Sequence, residues 1–235
     1  MTELLFREDP YLRSCEATVV AVHEDAVELD RTVFYPMGGG QSGDRGRIFN
    51  ESAGLDIVDT RKAEDGERVL HRFAAGGTPP PVGARVFAEI DWTHRHRLMR
   101  YHTALHLLGA VVGAPVTGGR IAADKAHLDF DVEMDKLVKD DIEARLNALV
   151  DAGHATRAGW ITDAELDARP ELVRTMSVAP PRGTGRIRLM EIPGVDLQAC
   201  GGTHVANTRE IGRLSVARIR SEGKRNKRVT LAFVE

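Results

Sequence analysis

The sequence predicts an α+β protein: a small N-terminal β-barrel domain over residues 1–91, then an α+β domain over residues 92–235 with an antiparallel sheet. Three observations carry this. Before residue 91 apolar and polar residues alternate in short runs, and no run is long enough for a helix. From Thr93 a helix-spaced apolar stripe begins. After it, helical and strand-like patterns intermix without a βαβ rhythm.

The barrel strands are expected at residues 17–23, 26–30, 45–50, 68–73 and 85–91, separated by turn residues. The run AAGGTPPPVGA at residues 74–84 is read as a hairpin connection rather than a linker, because strand-like sequence resumes directly after it. In the second part, Thr93 is a candidate helix cap. Leu98, Tyr101, Leu105, Leu108 and Val112 share one stripe, and Gly113 with Pro115 ends the helix. Residues 127–132 alternate as a strand. Leu137, Val138, Ile142, Leu146, Leu149 and Val150 then mark a second helix ending near Gly153. Thr162 with Glu165 has the form of a capping box, stopped at Pro170, and further strands are expected at residues 186–192, 212–219 and 228–234. No internal repeat or low-complexity segment occurs.

Composition bounds the function. Of 235 residues 42% are hydrophobic and 29% charged, as in a globular protein, and a net charge of −3 excludes a binder that works by bulk positive charge. Glu3, Arg7, Glu8 and Asp9 interrupt any apolar leader, and Cys15 and Cys200 are too few for a disulfide framework. A cytoplasmic protein is expected.

Two residue groups point to chemistry. His102 and His106 are four apart on the expected helix, so their side chains project about 40° apart and one turn along. Far downstream, Cys200 and His204 flank a Gly-Gly pair that lets the backbone bend. Three imidazoles and a thiolate suit Zn²⁺. A peptidase helix would need Glu directly after the first histidine, where this chain has Thr103, and 93 residues between the two ligand pairs rule out a zinc finger. The second group is FYPMGGGQSGDRG at residues 34–46. A phosphate-binding Walker loop would need Gly-Lys-Ser or Gly-Lys-Thr, whereas Gln41 is followed by Ser42. Gly38, Gly39 and Gly40 could equally supply positive φ to a turn beside a solvated Gln41.

Taken together, RYHTALHLLGAVV and CGGTHVANTREIG resemble the editing domain shared by alanyl-tRNA and threonyl-tRNA synthetases. FYPMGGGQSGDRG resembles the Gly-Gly-Gln segment of alanyl-tRNA synthetase and of the free-standing AlaX family of alanyl-tRNA editing proteins. Length and domain order are similar to the medium form of that family. The resemblance implies that the glycine loop forms a wall of an editing pocket and that Gln41 contacts the mischarged aminoacyl end or its water. One departure is visible: Ser42-Gly43-Asp44 stands where free-standing members often carry Pro-His.

The implied reaction is hydrolysis of the ester that joins serine, or glycine, to tRNA(Ala), sparing Ala-tRNA(Ala). Zn²⁺ held by His102, His106, Cys200 and His204 would either lower the pKa of water or hold the substrate, with one exchangeable position facing the pocket. Thr32 and Thr117, the latter in an expected loop, are candidates for recognising the serine hydroxyl. The basic run at residues 218–228 carries Arg218, Arg220, Lys224, Arg225, Lys227 and Arg228 against Glu222, and is the candidate tRNA contact. A zinc-stabilised RNA-binding module without catalysis is the alternative. Peptidyl-tRNA cleavage by Gly-Gly-Gln is disfavoured, because such a tip would need no zinc tetrad.

Overall fold

The computed structural model describes residues 2–174 and 186–234. The chain divides into two compact units, Met1–Arg97 and Leu98–Glu235.

In the first unit, β1 (Glu3–Leu4) pairs in parallel with β4 (Arg31–Thr32). Six antiparallel strands close a barrel: β2 (Ser14–Val22), β3 (Ala26–Leu29), β5 (Gly46–Phe49), β6 (Gly54–Lys62), β7 (Val69–Phe73) and β8 (Arg85–Ile90), in the order β2-β3-β7-β6-β5-β8. Closure pairs every strand edge and surrounds a core of Val19, Leu29, Phe34, Ile48, Leu55 and Val86.

Two features of this barrel differ from the sequence expectation. Strand β8 lies between β2 and β5, not beside β7, so residues 74–84 are a crossing and not a hairpin. Strand β6 has no counterpart among the expected strands. A register shift between Ile57 and Asp59 puts Leu55, Ile57 and then Thr60 inward, which breaks the two-residue period a pattern search relies on.

Helix α1 spans Trp92–Val112. Its cap is Asp91 rather than Thr93: the Asp91 carboxylate accepts from His94 N–H at 3.0 Å. Every residue from Tyr101 to Leu108 is buried, so α1 is a core helix there and not a surface helix with one apolar stripe.

In the second unit a four-stranded antiparallel sheet runs β14-β15-β10-β9, from β9 (Val116–Ile121), β10 (Ala126–Asp131), β14 (Leu214–Ser221) and β15 (Asn226–Phe233). Helix α2 (Lys139–Ala152) buries Ile142, Leu146 and Val150 and ends on Gly153 at φ 71°. Val138 is exposed and outside the helix. The Asn147 side chain bonds both backbone groups of Leu214 and so ties α2 to β14. A smaller sheet orders β11 (Arg157–Ile161), β12 (Ile187–Ile192) and β13 (Asp196–Ala199). Helix α3 (Asp163–Asp167) opens on the expected capping box: Glu165 N–H donates to Thr162 Oγ1, and Thr162 N–H donates to Glu165 Oε2. Among the described residues no helix is long and apolar enough to cross a membrane.

Candidate metal centre

His102 and His106 project from consecutive turns of α1, their ring centroids 5.3 Å apart. Cys200 follows β13 directly. Its N–H bonds Arg188 O at 3.0 Å, while the buried Arg188 guanidinium donates to Cys200 O at 3.1 Å and Gly202 O at 2.9 Å. The Cys-Gly-Gly turn is therefore braced by an arginine from β12, and neither Gly201 nor Gly202 takes a positive φ. Beyond it, Thr156 bonds Val205 O and Ala206 O and holds the backbone that presents His204.

These supports bring the four donor atoms of His102, His106, Cys200 and His204 within 4.8 Å of one another. Cys200 Sγ lies 3.4 Å from His102 Nε2 and 3.3 Å from His204 Nε2. Donors bound tetrahedrally at the usual zinc distances stand roughly 3.3–3.6 Å apart, so the donor chemistry and the two sulfur–nitrogen spacings fit a divalent metal with nitrogen and sulfur preference. The three histidines are buried, and Cys200 keeps partial exposure.

The electrostatics favour ligation at Cys200 and His204, whereas at His106 a metal would displace a proton. Burial pushes the Cys200 thiol up, but His102, His204 and hydrogen bonding from His102 and His106 pull it well below the ordinary value, toward the ligating thiolate. Burial and repulsion from His102 hold His204 well below the usual imidazole range, which keeps it neutral and able to donate a lone pair. Burial disfavours charge on His106, yet hydrogen bonds to Asp196 and Cys200 raise it to about 9. His106 Nδ1 sits 2.8 Å from Asp196 Oδ2, the arrangement in which a carboxylate fixes a ligating imidazole. Asp196 is steadied by Gln198 Nε2 at 2.7 Å and Arg174 at 3.4 Å.

The other expected site residues sit as follows. Gln41 is fully buried, and its backbone exchanges two hydrogen bonds with Gly38, at 3.0 and 3.1 Å. The loop turns on Gly39 at φ 55° and Gly40 at φ 80°. Gln41 is thus not the solvated residue of the simple-turn alternative. Thr32 accepts from Phe34 N–H at 3.0 Å and donates to His71 Nε2 at 2.8 Å, which engages its hydroxyl inside the barrel unit. Thr117 lies on β9 instead of in a loop, and donates to Asn226 Oδ1 at 2.7 Å.

Residues 218–228 form the β14-β15 hairpin, and its charges are not equivalent. Lys227 is buried: its ammonium donates to Gly223 O, Lys224 O and Ser221 Oγ and closes the turn, so it is not available as an exposed phosphate contact. Arg228 is held bidentately by Asp129 at 2.7 and 2.8 Å, Arg225 pairs with Asp131 and Arg220 with Glu222. Arg218 and Lys224 are exposed and make no ion pair among the described residues.

Sequence reading missed Arg188, Asp196 and Thr103 around the metal donors, and Asp44 with Arg95 around the glycine loop. Only spacing pointed at Asp196, four residues before Cys200 in an otherwise apolar strand pattern.

The family model for class II (A) tRNA synthetases matches residues 10–94, and that for the threonyl and alanyl tRNA synthetase second additional domain matches residues 187–230. The alanyl-tRNA editing protein AlaX-M of Saccharolobus solfataricus is 37% identical over 235 residues, covering 97% of this chain and 98% of that one. That of Methanosarcina barkeri is 34% identical over the full length of both. An alanine–tRNA ligase of Ignicoccus hospitalis is 37% identical over 92% of this chain and only 24% of the ligase. On this full-length similarity, the chain belongs to the AlaX-M family of alanyl-tRNA editing proteins.

Proposed function

We propose that this protein is a cytoplasmic trans-editing hydrolase that removes serine, and glycine, from mischarged tRNA(Ala) while sparing Ala-tRNA(Ala). The observation that carries the reading is the convergence of His102, His106, Cys200 and His204 in a member of the AlaX-M family. Residues 92–235 would hold the deacylase and residues 1–91 the Gly-Gly-Gln loop.

The need for such an enzyme follows from binding energetics. A pocket shaped for alanine discriminates against an added hydroxyl by only about 1–3 kcal/mol. A second site that hydrogen-bonds the serine hydroxyl leaves its polar groups unpaired when alanine enters, and can reject it by roughly 10⁴–10⁵.

The donor set is the one zinc prefers, and zinc bound there would supply Lewis-acidic positive charge next to the scissile ester. The chain's own residues do the rest. Asp196 holds the His106 ring by its Nδ1 side, and Arg188 fixes the Cys200 turn. Gln41 is the proposed contact to the aminoacyl end. Thr117 is the better candidate for the serine hydroxyl: both threonine protons are engaged, on His71 and on Asn226 Oδ1, but the Thr32 oxygen also accepts from Phe34 N–H. Arg218 and Lys224 are proposed to meet the tRNA backbone.

The test is to incubate the pure protein with Ser-tRNA(Ala), Gly-tRNA(Ala) and Ala-tRNA(Ala) and follow amino-acid release, with metal content measured in parallel. Release of serine but not alanine, lost in a folded Cys200→Ala variant, is expected. Tight tRNA binding without any release would leave a zinc-stabilised RNA-binding module instead.

A further inference from the structure

Thr103 occupies the position between the two α1 histidines where a zinc peptidase would carry its glutamate base, and nothing in the proposed reaction uses it. It is fully buried. Its Oγ1 has three polar neighbours: Met99 O at 3.1 Å, His204 Nδ1 at 3.2 Å and Val205 N at 3.2 Å. A hydroxyl has one proton to give and two lone pairs to receive. Met99 O can only accept and Val205 N–H can only donate. All three contacts are satisfied together by one assignment: Thr103 donates to Met99 O and accepts from both Val205 N–H and His204 Nδ1–H.

That assignment decides the other face of the ring. With the proton on Nδ1, His204 Nε2 carries the lone pair, and this atom is the one 3.3 Å from Cys200 Sγ. The opposite tautomer would put a proton on Nε2, inside the donor cluster, and leave Met99 O without the threonine hydrogen. The contact to Val205, the next residue along, fixes the backbone on which the ring pivots. We propose that Thr103 is a positioning residue that holds His204 in its Nδ1–H tautomer and aims Nε2 at the metal; this rests on the reading of the four donors as a metal site. Thr103 thus does for His204 what Asp196 does for His106, from a neutral hydroxyl instead of a carboxylate.

The experiment compares the parent with Thr103→Val, which keeps the shape and removes the hydroxyl, and Thr103→Ser, which restores it. Zinc affinity is measured by competition with a chromophoric chelator, folding by circular dichroism, and the His204 tautomer by long-range nitrogen–proton correlation on protein labelled at histidine nitrogen. Expected are an Nδ1-bound proton on His204 in the parent, zinc affinity about 10–100-fold weaker in Thr103→Val, and recovery in Thr103→Ser. Zinc affinity unchanged in folded Thr103→Val would overturn the proposal and leave the metal site standing. So would a parent spectrum with the His204 proton on Nε2, a readout that requires no variant to fold. A parent that binds no zinc yet shows the Nδ1 proton would instead overturn the metal reading and leave the tautomer assignment intact.

Discussion

The Asp44 carboxylate and the Arg95 guanidinium form an ion pair in which neither side chain keeps any exposed surface. Arg95 Nε stands 3.0 and 2.9 Å from the two carboxylate oxygens, Nη2 donates to Asp44 Oδ2 and to Val33 O, and Nη1 donates to Pro10 O. Asp44 in turn accepts from Tyr35 N–H at 2.7 Å. The pair therefore pins the loop that contains Gly-Gly-Gln to the first turns of α1. A buried charge left alone is costly, so Arg95→Met should destabilise the protein by about 3–5 kcal/mol. The double variant Asp44→Ala/Arg95→Met should lose clearly less than the sum of the singles. Urea unfolding followed through Trp92 in a Trp160→Phe background reports this unit. Additive losses would mean the pair is not coupled.

Two glycines of the same loop should respond differently to alanine. A Cβ on Gly43 would meet Thr60 O at 2.2 Å and Thr60 N at 2.9 Å, both backbone atoms of β6 that cannot step aside. Gly39 has nothing within 4 Å and needs only its φ of 55°. Gly39→Ala is expected to cost about 1–2 kcal/mol, the price of a left-handed residue. Gly43→Ala should cost more, and should also slow serine release, because the loop must move to admit the methyl group. Equal unfolding midpoints for the two variants would contradict this.

How much of this was legible in the sequence depended on whether a side chain's partner was near in the chain or in a repeating register. The capping box at Thr162 and Glu165 is local chemistry and reads directly. The four metal donors read because His-x₃-His on a helix and Cys-x₃-His around glycines each constrain geometry, though not the arginine that braces the turn. The second strand of the β5-β6 hairpin, β6, was hidden by its bulge, and the crossing at residues 74–84 by the fact that strand patterns carry no pairing information. The basic hairpin shows the same limit. Six cations look alike in the sequence, but the partners that distinguish them, Asp129, Asp131 and the carbonyls under Lys227, are long-range or depend on the turn.

Burial of His71 sets a pH dependence for the barrel unit. His71 is fully buried, gives its Nδ1 proton to Val27 O at 3.1 Å and is pushed down to about 4, first by burial and against the backbone hydrogen bond. Between about pH 4 and 6.5 the unfolded chain holds a proton at this position that the folded chain does not. Stability therefore rises with pH through that window, is full above about 6.5, and falls as the solution is acidified, by up to about 3 kcal/mol in all. His71→Gln removes the titration. The difference between parent and variant unfolding free energies should change by as much as about 1.4 kcal/mol per pH unit between pH 4.5 and 6 and be flat above pH 7. A difference independent of pH would show that His71 protonates equally in both states.

The hairpin separates by variant into charges that face solvent and one that holds the turn. Arg218→Gln with Lys224→Gln removes two exposed cations that make no ion pair among the described residues, and should leave the urea midpoint within about 0.5 kcal/mol of the parent. If both meet phosphates, the slope of log affinity for tRNA(Ala) against log salt should become shallower by roughly 1.5–2. Lys227→Met acts the other way. Its ammonium satisfies three oxygens beneath the turn, so the variant should lower the midpoint by about 1–3 kcal/mol, while the salt slope, measured where the protein is still folded, stays that of the parent. A shallower slope in Lys227→Met with no loss of stability would return Lys227 to the tRNA surface and remove the structural role assigned to it.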